Sequence, residues 1–119
     1  RNGARLLPAV FWTALRSRSQ RPMHDFAAVP WYLTEQIYET FRQSAVDQAD
    51  FFTSHAEWLE AALDHERQAE HYGVTILRVR MDPESFAKWC TEQSRVNDAA
   101  SRSEFAELRA ARMINWLGG

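Results

Sequence analysis

The chain has 119 residues, 45% of them apolar, and a formal net charge of −2, which fits one folded domain and does not favour disorder. Its single cysteine, Cys90, cannot form an internal disulfide, so we expect a reducing compartment, the cytoplasm. No apolar run reaches the length of a membrane span, and we expect no membrane partner.

The N-terminal part, residues 1–30, is predicted to be a basic arm within a single domain of residues 1–119. Residues 1–21 contain five arginines and no acid: Arg1, Arg5, Arg16, Arg18 and Arg21. Apolar residues at helical spacing predict a short helix over 8–17, although alternation in the same stretch leaves a strand as the open alternative. Pro22 and Pro30 predict a loop over 18–30.

The central region is strongly acidic and predicted to be helical. Residues 22–70 contain ten acids and two arginines, a balance of −8. Apolar periodicity allows one long helix over 33–71. We favour two helices, about 33–48 and 54–71, because Ser54 followed by Glu57 resembles a capping box. Gly73 is predicted to end the second helix, since glycine tolerates positive φ.

The clearest strand in the sequence is Val74–Met81, which is rich in β-branched residues. A lone strand leaves backbone groups unpaired. It must pair with the N-terminal segment, with another weak strand, or with the same strand in a second copy. A symmetric homodimer through Val74–Met81 is therefore one prediction.

The C-terminal part is predicted to hold two more helices. Asp82 and Pro83 are typical of a helix start, and Cys90 falls on the apolar face of that helix, which favours a core cysteine over a thiol nucleophile. Ser101 with Glu104 offers a capping box for the last helix. The predicted fold class is mainly α, strictly α+β with one short strand, in a compact arrangement like a helical bundle.

The first functional hypothesis is a non-enzymatic interaction protein that binds a protein partner with a basic surface. Its acidic helical face would imitate nucleic-acid phosphates, and the predicted contacts are Glu57, Glu60, Asp64, Glu66 and Glu70. We expect Trp31, at a proline-flanked junction, to be partly exposed and to join this surface.

Two other hypotheses remain open. A nucleic-acid-binding module would use the Arg-rich arm, and the predicted phosphate contacts are Arg16, Arg18, Arg21, Arg78 and Arg80. A small metalloprotein or enzyme would use the region His65–His71, but a zincin helix places its histidines four residues apart and these are six apart. We therefore assign no catalytic residue, metal or cofactor.

One segment resembles a known group of proteins. The run Val79–Cys90, followed by Asn97 and by Arg102–Phe105, is similar to short uncharacterised bacterial proteins of plasmids and other mobile elements. The similarity covers residues 74–112. It implies no activity, but it favours an accessory protein, a class that includes inhibitors of host defence.

Overall fold

The computed structural model describes residues 14–16 and 25–118. In chain order, these residues form the elements β1 (Ala14–Arg16), β2 (Asp25–Trp31), α1 (Glu35–Ser44), a 3-10 turn (Gln48–Asp50), α2 (His55–His71), β3 (Val74–Arg80), α3 (Pro83–Gln93) and α4 (Ala99–Gly118). Within these residues, no helix is both long and apolar enough to cross a membrane.

The described strands form one sheet in the order β1-β2-β3. β1 runs antiparallel to β2, with Ala14 opposite Ala27. β2 and β3 are parallel over their full length, from Asp25 opposite Val74 to Trp31 opposite Arg80. α1 and α2 together make the crossover between the two parallel strands, as parallel pairing requires. The strand predicted to need a partner thus finds one inside the chain.

Helices cover both faces of the sheet. On one face, Ala28 and Val79 pack against Ala106 and Ala110 of α4. On the other face, the larger core cluster joins Val29, Trp31, Trp58 and Ala62 with the rings of α1 and α3. The fold is α+β and mostly helical. It differs from the predicted bundle because the sheet, rather than a neighbouring helix, receives the apolar faces of α2 and α4.

The loop predicted over residues 18–30 is wrong for residues 25–30, which lie in the buried strand β2. Pro30 does not disturb the pairing with β3. Since the Trp31 carbonyl accepts from the Met81 N–H at 3.0 Å, the nitrogen of the preceding residue faces away from β3. On that other side, the described residues of β1 pair with residues 25–27 and not with Pro30, a position at which a proline without an N–H is tolerated.

The prediction of a helix over residues 8–17 is wrong where it can be compared. Residues 14–16 form a strand, which was the open alternative, and residues 8–13 and 17 lie outside the described residues.

The predicted helix boundaries are mostly confirmed. The acidic region forms two helices, and the Ser54 side chain accepts from the Glu57 N–H at 3.1 Å. Gly73 adopts φ +79° after α2, and Asp82 caps α3 through the Ser85 N–H at 2.8 Å. The Ser101 capping box is wrong, because α4 already begins at Ala99 and Asp98 accepts from the Ser101 N–H at 2.8 Å.

Candidate functional site

The predicted acidic surface lies on α2, but its five carboxylates do not form one face. At 3.6 residues per turn, Glu57, Glu60 and Asp64 share one side of the helix. Glu66 lies about a third of a turn from Glu60, and Glu70 lies between these two directions, about 80° from Glu60. The buried side of α2, which packs on the core, is made by Trp58, Ala62, His65 and Ala69.

Several of these carboxylates are occupied within the protein. Glu66 forms a two-point ion pair with Arg78 of β3, at 2.6 and 2.7 Å. Asp64 pairs with Arg67 at 2.9 Å. Glu60 and Glu70 are exposed and form no ion pair with any residue that the structure describes. Glu57 is exposed too, but its carboxylate accepts from the Thr53 hydroxyl at 2.6 Å. The carboxylates best able to meet a partner are therefore Glu60 and Glu70.

One exposed apolar side chain lies beside the unpaired carboxylates. Leu63 projects between the directions of Glu60 and Glu70 and is 36% exposed. Tyr72, just after α2, is 79% exposed and packs on the His71 ring with 5.4 Å between centroids, but helical geometry places it about a third of a turn or more away from both carboxylates. The outward side of α2 thus combines negative charge with an aliphatic side chain.

The expectation that Trp31 is partly exposed is wrong. Trp31 is only 6% exposed, because it ends a strand that is covered on both faces. Its ring meets the Trp58 ring edge-on at 5.0 Å, and the Arg78 guanidinium lies 4.1 Å from its centroid. Trp31 therefore belongs to the core and cannot anchor a partner.

The predicted phosphate contacts do not assemble into one described track. Arg78 and Arg80 share one face of β3 and are both exposed, but Arg78 is held by Glu66 and Trp31. Arg16 lies in β1, while Arg18 and Arg21 are outside the described residues.

The histidines of the proposed metal region point in different directions. His65 is buried toward the core and His71 is exposed, about 120° apart around α2. Burial lowers the pKa of His65, although the neighbouring Asp64 and Glu66 oppose this. Across the described part of the chain, no three His, Cys, Asp or Glu side chains are arranged to hold a metal ion.

Cys90 is a core residue, as predicted. It is 8% exposed and belongs to the same apolar cluster as Phe86. Burial raises the pKa of its thiol, and the charge of Asp98 adds to this while Arg95 opposes it.

β3 presents one edge on which the described residues place no further strand. Since the Met81 N–H points toward β2, the backbone groups of Ile76, Arg78 and Arg80 point to the opposite, outer edge. The homodimer through Val74–Met81 stays a prediction, but β2 already pairs with one edge of β3, so the strand no longer requires a second copy.

A basic groove between α3 and α4 was not predicted from the sequence. It encloses about 590 Å³, and its lining includes Lys88, Trp89, Phe105, Arg109 and Arg112. The available signal was the pair Arg109 and Arg112, three residues apart and therefore neighbours on one helix face. Which face of α4 meets α3 could not be read from that spacing.

No family model, curated protein or solved structure matches this chain. The resemblance of residues 74–112 to plasmid-borne proteins therefore stays a prediction. We infer function from contacts, burial and charge.

Proposed function

We propose that this protein is a non-enzymatic interaction protein that binds a protein partner with a basic surface through the outward side of α2. The observation that supports this most is the grouping of exposed Glu60, Leu63 and Glu70 on that side of the helix. Interfaces commonly combine an aromatic or aliphatic anchor with a polar rim, and this grouping has both.

The packing of α2 against the core also favours this role. Trp58, Ala62 and Ala69 are nearly fully buried, so the helix is fixed against the core. A partner would meet side chains on a backbone that is already ordered, which lowers the entropy cost of binding. Glu60 and Glu70 lie ten residues apart, about 15 Å along the helix axis, and this spread of charge would steer a basic partner on approach.

The chemistry of the partner follows from that charge. Exposed carboxylates repeated along a helix imitate the spaced negative charges of a nucleic-acid backbone. The fitting partner is a protein whose basic surface otherwise holds nucleic acid. The resemblance to mobile-element proteins favours an inhibitor of such a partner, with no reaction of its own.

The test is capture of a partner from a lysate of the source cells with the full chain as bait. We expect wild-type protein to retain a basic protein at moderate salt and to release it at high salt. The variant Glu60→Lys/Glu70→Lys should lose it. The matched control, Asp50→Lys/Glu92→Lys, reverses the same amount of charge on other elements and should retain it.

Unchanged capture by the Glu60→Lys/Glu70→Lys protein would refute the proposed surface. Equal loss in the control would show that only net charge matters, and would refute it as well. Glu66→Gln provides an internal comparison: because Arg78 already occupies that carboxylate, capture should persist.

A further inference from the structure

The described basic side chains fall into two groups. Nine lysine and arginine side chains are described, and five take part in ion pairs: Arg42, Arg67, Arg78, Arg95 and Arg102. Three of the other four line the groove between α3 and α4: Lys88, Arg109 and Arg112. The cations left without a carboxylate partner in the described part of the chain are thus concentrated in one place.

The groove also contains aromatic surface. Trp89 is half-buried and packs on Phe105 with 5.5 Å between ring centroids, and the Arg95 guanidinium lies over the Trp89 ring, 5.4 Å from its centroid. The Arg109 guanidinium lies 4.9 Å from the Phe105 centroid, so this charge is held over the ring. Arg112 is its neighbour one turn along, with Cβ atoms about 5–6 Å apart.

The charge of the lining is positive. Against Lys88, Arg109 and Arg112 there is one acid in the lining, Glu92, which leaves a balance of +2. Asp82 lies near enough to interact with Arg109, but the two form no ion pair.

We propose that the groove between α3 and α4 binds single-stranded nucleic acid, with phosphates on Arg109, Arg112 and Lys88 and a base against Trp89. Positive grooves with an aromatic surface suit single strands, because each base has a free face to stack. In a duplex those faces are already stacked. An acidic peptide would satisfy the cations but would leave the indole without a planar partner.

The acidic helix does not oppose this binding. α2 and α4 pack on opposite faces of the sheet, and the residues that line the groove come from α3 and α4 and not from α2. The two proposed surfaces are therefore distinct, and each can fail without the other.

The test measures fluorescence anisotropy of a labelled oligothymidylate, about 15 nucleotides long, titrated with the full chain at several salt concentrations. The groove variant is Arg109→Gln/Arg112→Gln. The control, Arg42→Gln/Arg67→Gln, removes the same charge from ion-paired arginines on α1 and α2, outside the groove. Both keep the five N-terminal arginines, so binding by that arm is common to all three proteins.

We expect the groove variant to bind about tenfold or more weakly than wild type and the control to bind within about twofold. Two lost phosphate contacts should also reduce the slope of log K against log salt by about 1.4, at about 0.7 per contact. Equal affinity of wild type and groove variant, or equal weakening of both variants, would overturn the proposal.

Two further comparisons separate stacking from charge. Trp89→Leu should weaken binding with an unchanged salt slope, and Trp89→Phe should restore most of it, with folding checked by circular dichroism. A duplex or a polyglutamate peptide that competes as well as the single strand would overturn the proposal. If Trp89→Leu does not fold, the arginine variants and the competitors decide.

Discussion

Arg102 of α4 forms a two-point ion pair with Asp47, fifty-five residues earlier in the chain, with N–O distances of 3.0 and 2.9 Å. Its guanidinium also donates to Asn97 at 2.7 Å, and Asp47 accepts from the Ala99 N–H at 3.0 Å. The Arg102 side chain is only 6% exposed. This pair therefore ties the segment between α1 and α2 to the start of α4.

Removing one partner of this pair should be strongly destabilising. Asp47→Ala leaves a buried guanidinium without its carboxylate, for which we expect a loss of about 3–5 kcal/mol in the free energy of unfolding, measured in urea. Asp47→Ala/Arg102→Met should lose less than the sum of the single changes, because no buried charge remains. The exposed neighbour Asp50→Ala should change stability by about 0.5 kcal/mol or less. A near-neutral Asp47→Ala would contradict the role of the pair.

Stability should fall in acid because of the same residue. Burial alone would raise the pKa of Asp47, but hydrogen bonding to Arg102 and its charge outweigh burial and hold the pKa below its ordinary value of 3.8. The pair then contributes fully above that value, and its contribution is lost as pH falls through the lower folded pKa. Thermal unfolding from about pH 5 to pH 2 should show a shallower decline for Asp47→Asn than for wild type. If stability fell equally steeply with pH in Asp47→Asn and in wild type, the role of Asp47 in acid unfolding would be refuted.

Tyr32 should make the protein sensitive to alkali. Burial raises the pKa of its phenol above the ordinary value of 10.0, partly opposed by the charge of Arg102. Because the folded pKa is raised, the contribution is complete below pH 10.0 and is lost as pH rises above it. Tyr32→Phe should cost about 1 kcal/mol at neutral pH, through the lost hydrogen bond between its hydroxyl and Arg102, and should flatten the alkaline loss of stability. If the stability of Tyr32→Phe fell as steeply in alkali as that of wild type, Tyr32 would not be the group responsible.

The Cys90 thiol should be unreactive while the protein is folded. It is 8% exposed and its pKa is raised, chiefly by burial, so little thiolate is present and little of the sulfur is accessible to a reagent. Modification by a disulfide reagent should be slow in buffer and rapid in urea, followed by absorbance. Cys90→Ala provides the blank. Rapid reaction of the folded protein would contradict the core assignment.

The parts of the fold that could be predicted are those governed by neighbours in the chain. Ser54 and Asp82 were recognised as caps because their hydrogen bonds reach only three residues ahead. The strand β2 was missed because Pro22 and Pro30 indicate a loop when taken alone. Whether Pro30 disturbs a ladder depends on which side of the strand its nitrogen faces, and pairing decides that.

The candidate surfaces, like the fold, could be predicted only where neighbours in the chain decide them. The sequence placed the acids on α2, but only packing showed that Arg78 reaches Glu66 from another element. The prediction that Trp31 is exposed was wrong, because its burial depends on contact with Trp58 of α2, a helix that packs across the sheet. The groove was missed because Lys88 and Arg109 meet only when α3 lies against α4.

The sequence by itself determined the ends of α2, the start of α3, the strand β3 and the distribution of charge along the chain, because short-range hydrogen bonds and composition decide them. Tertiary structure alone decided the parallel pairing of β2 with β3, the pair between Asp47 and Arg102, and which charges remain open to a partner. Those relationships join residues far apart in sequence, and they exist only once burial of the apolar faces has fixed how the elements pack.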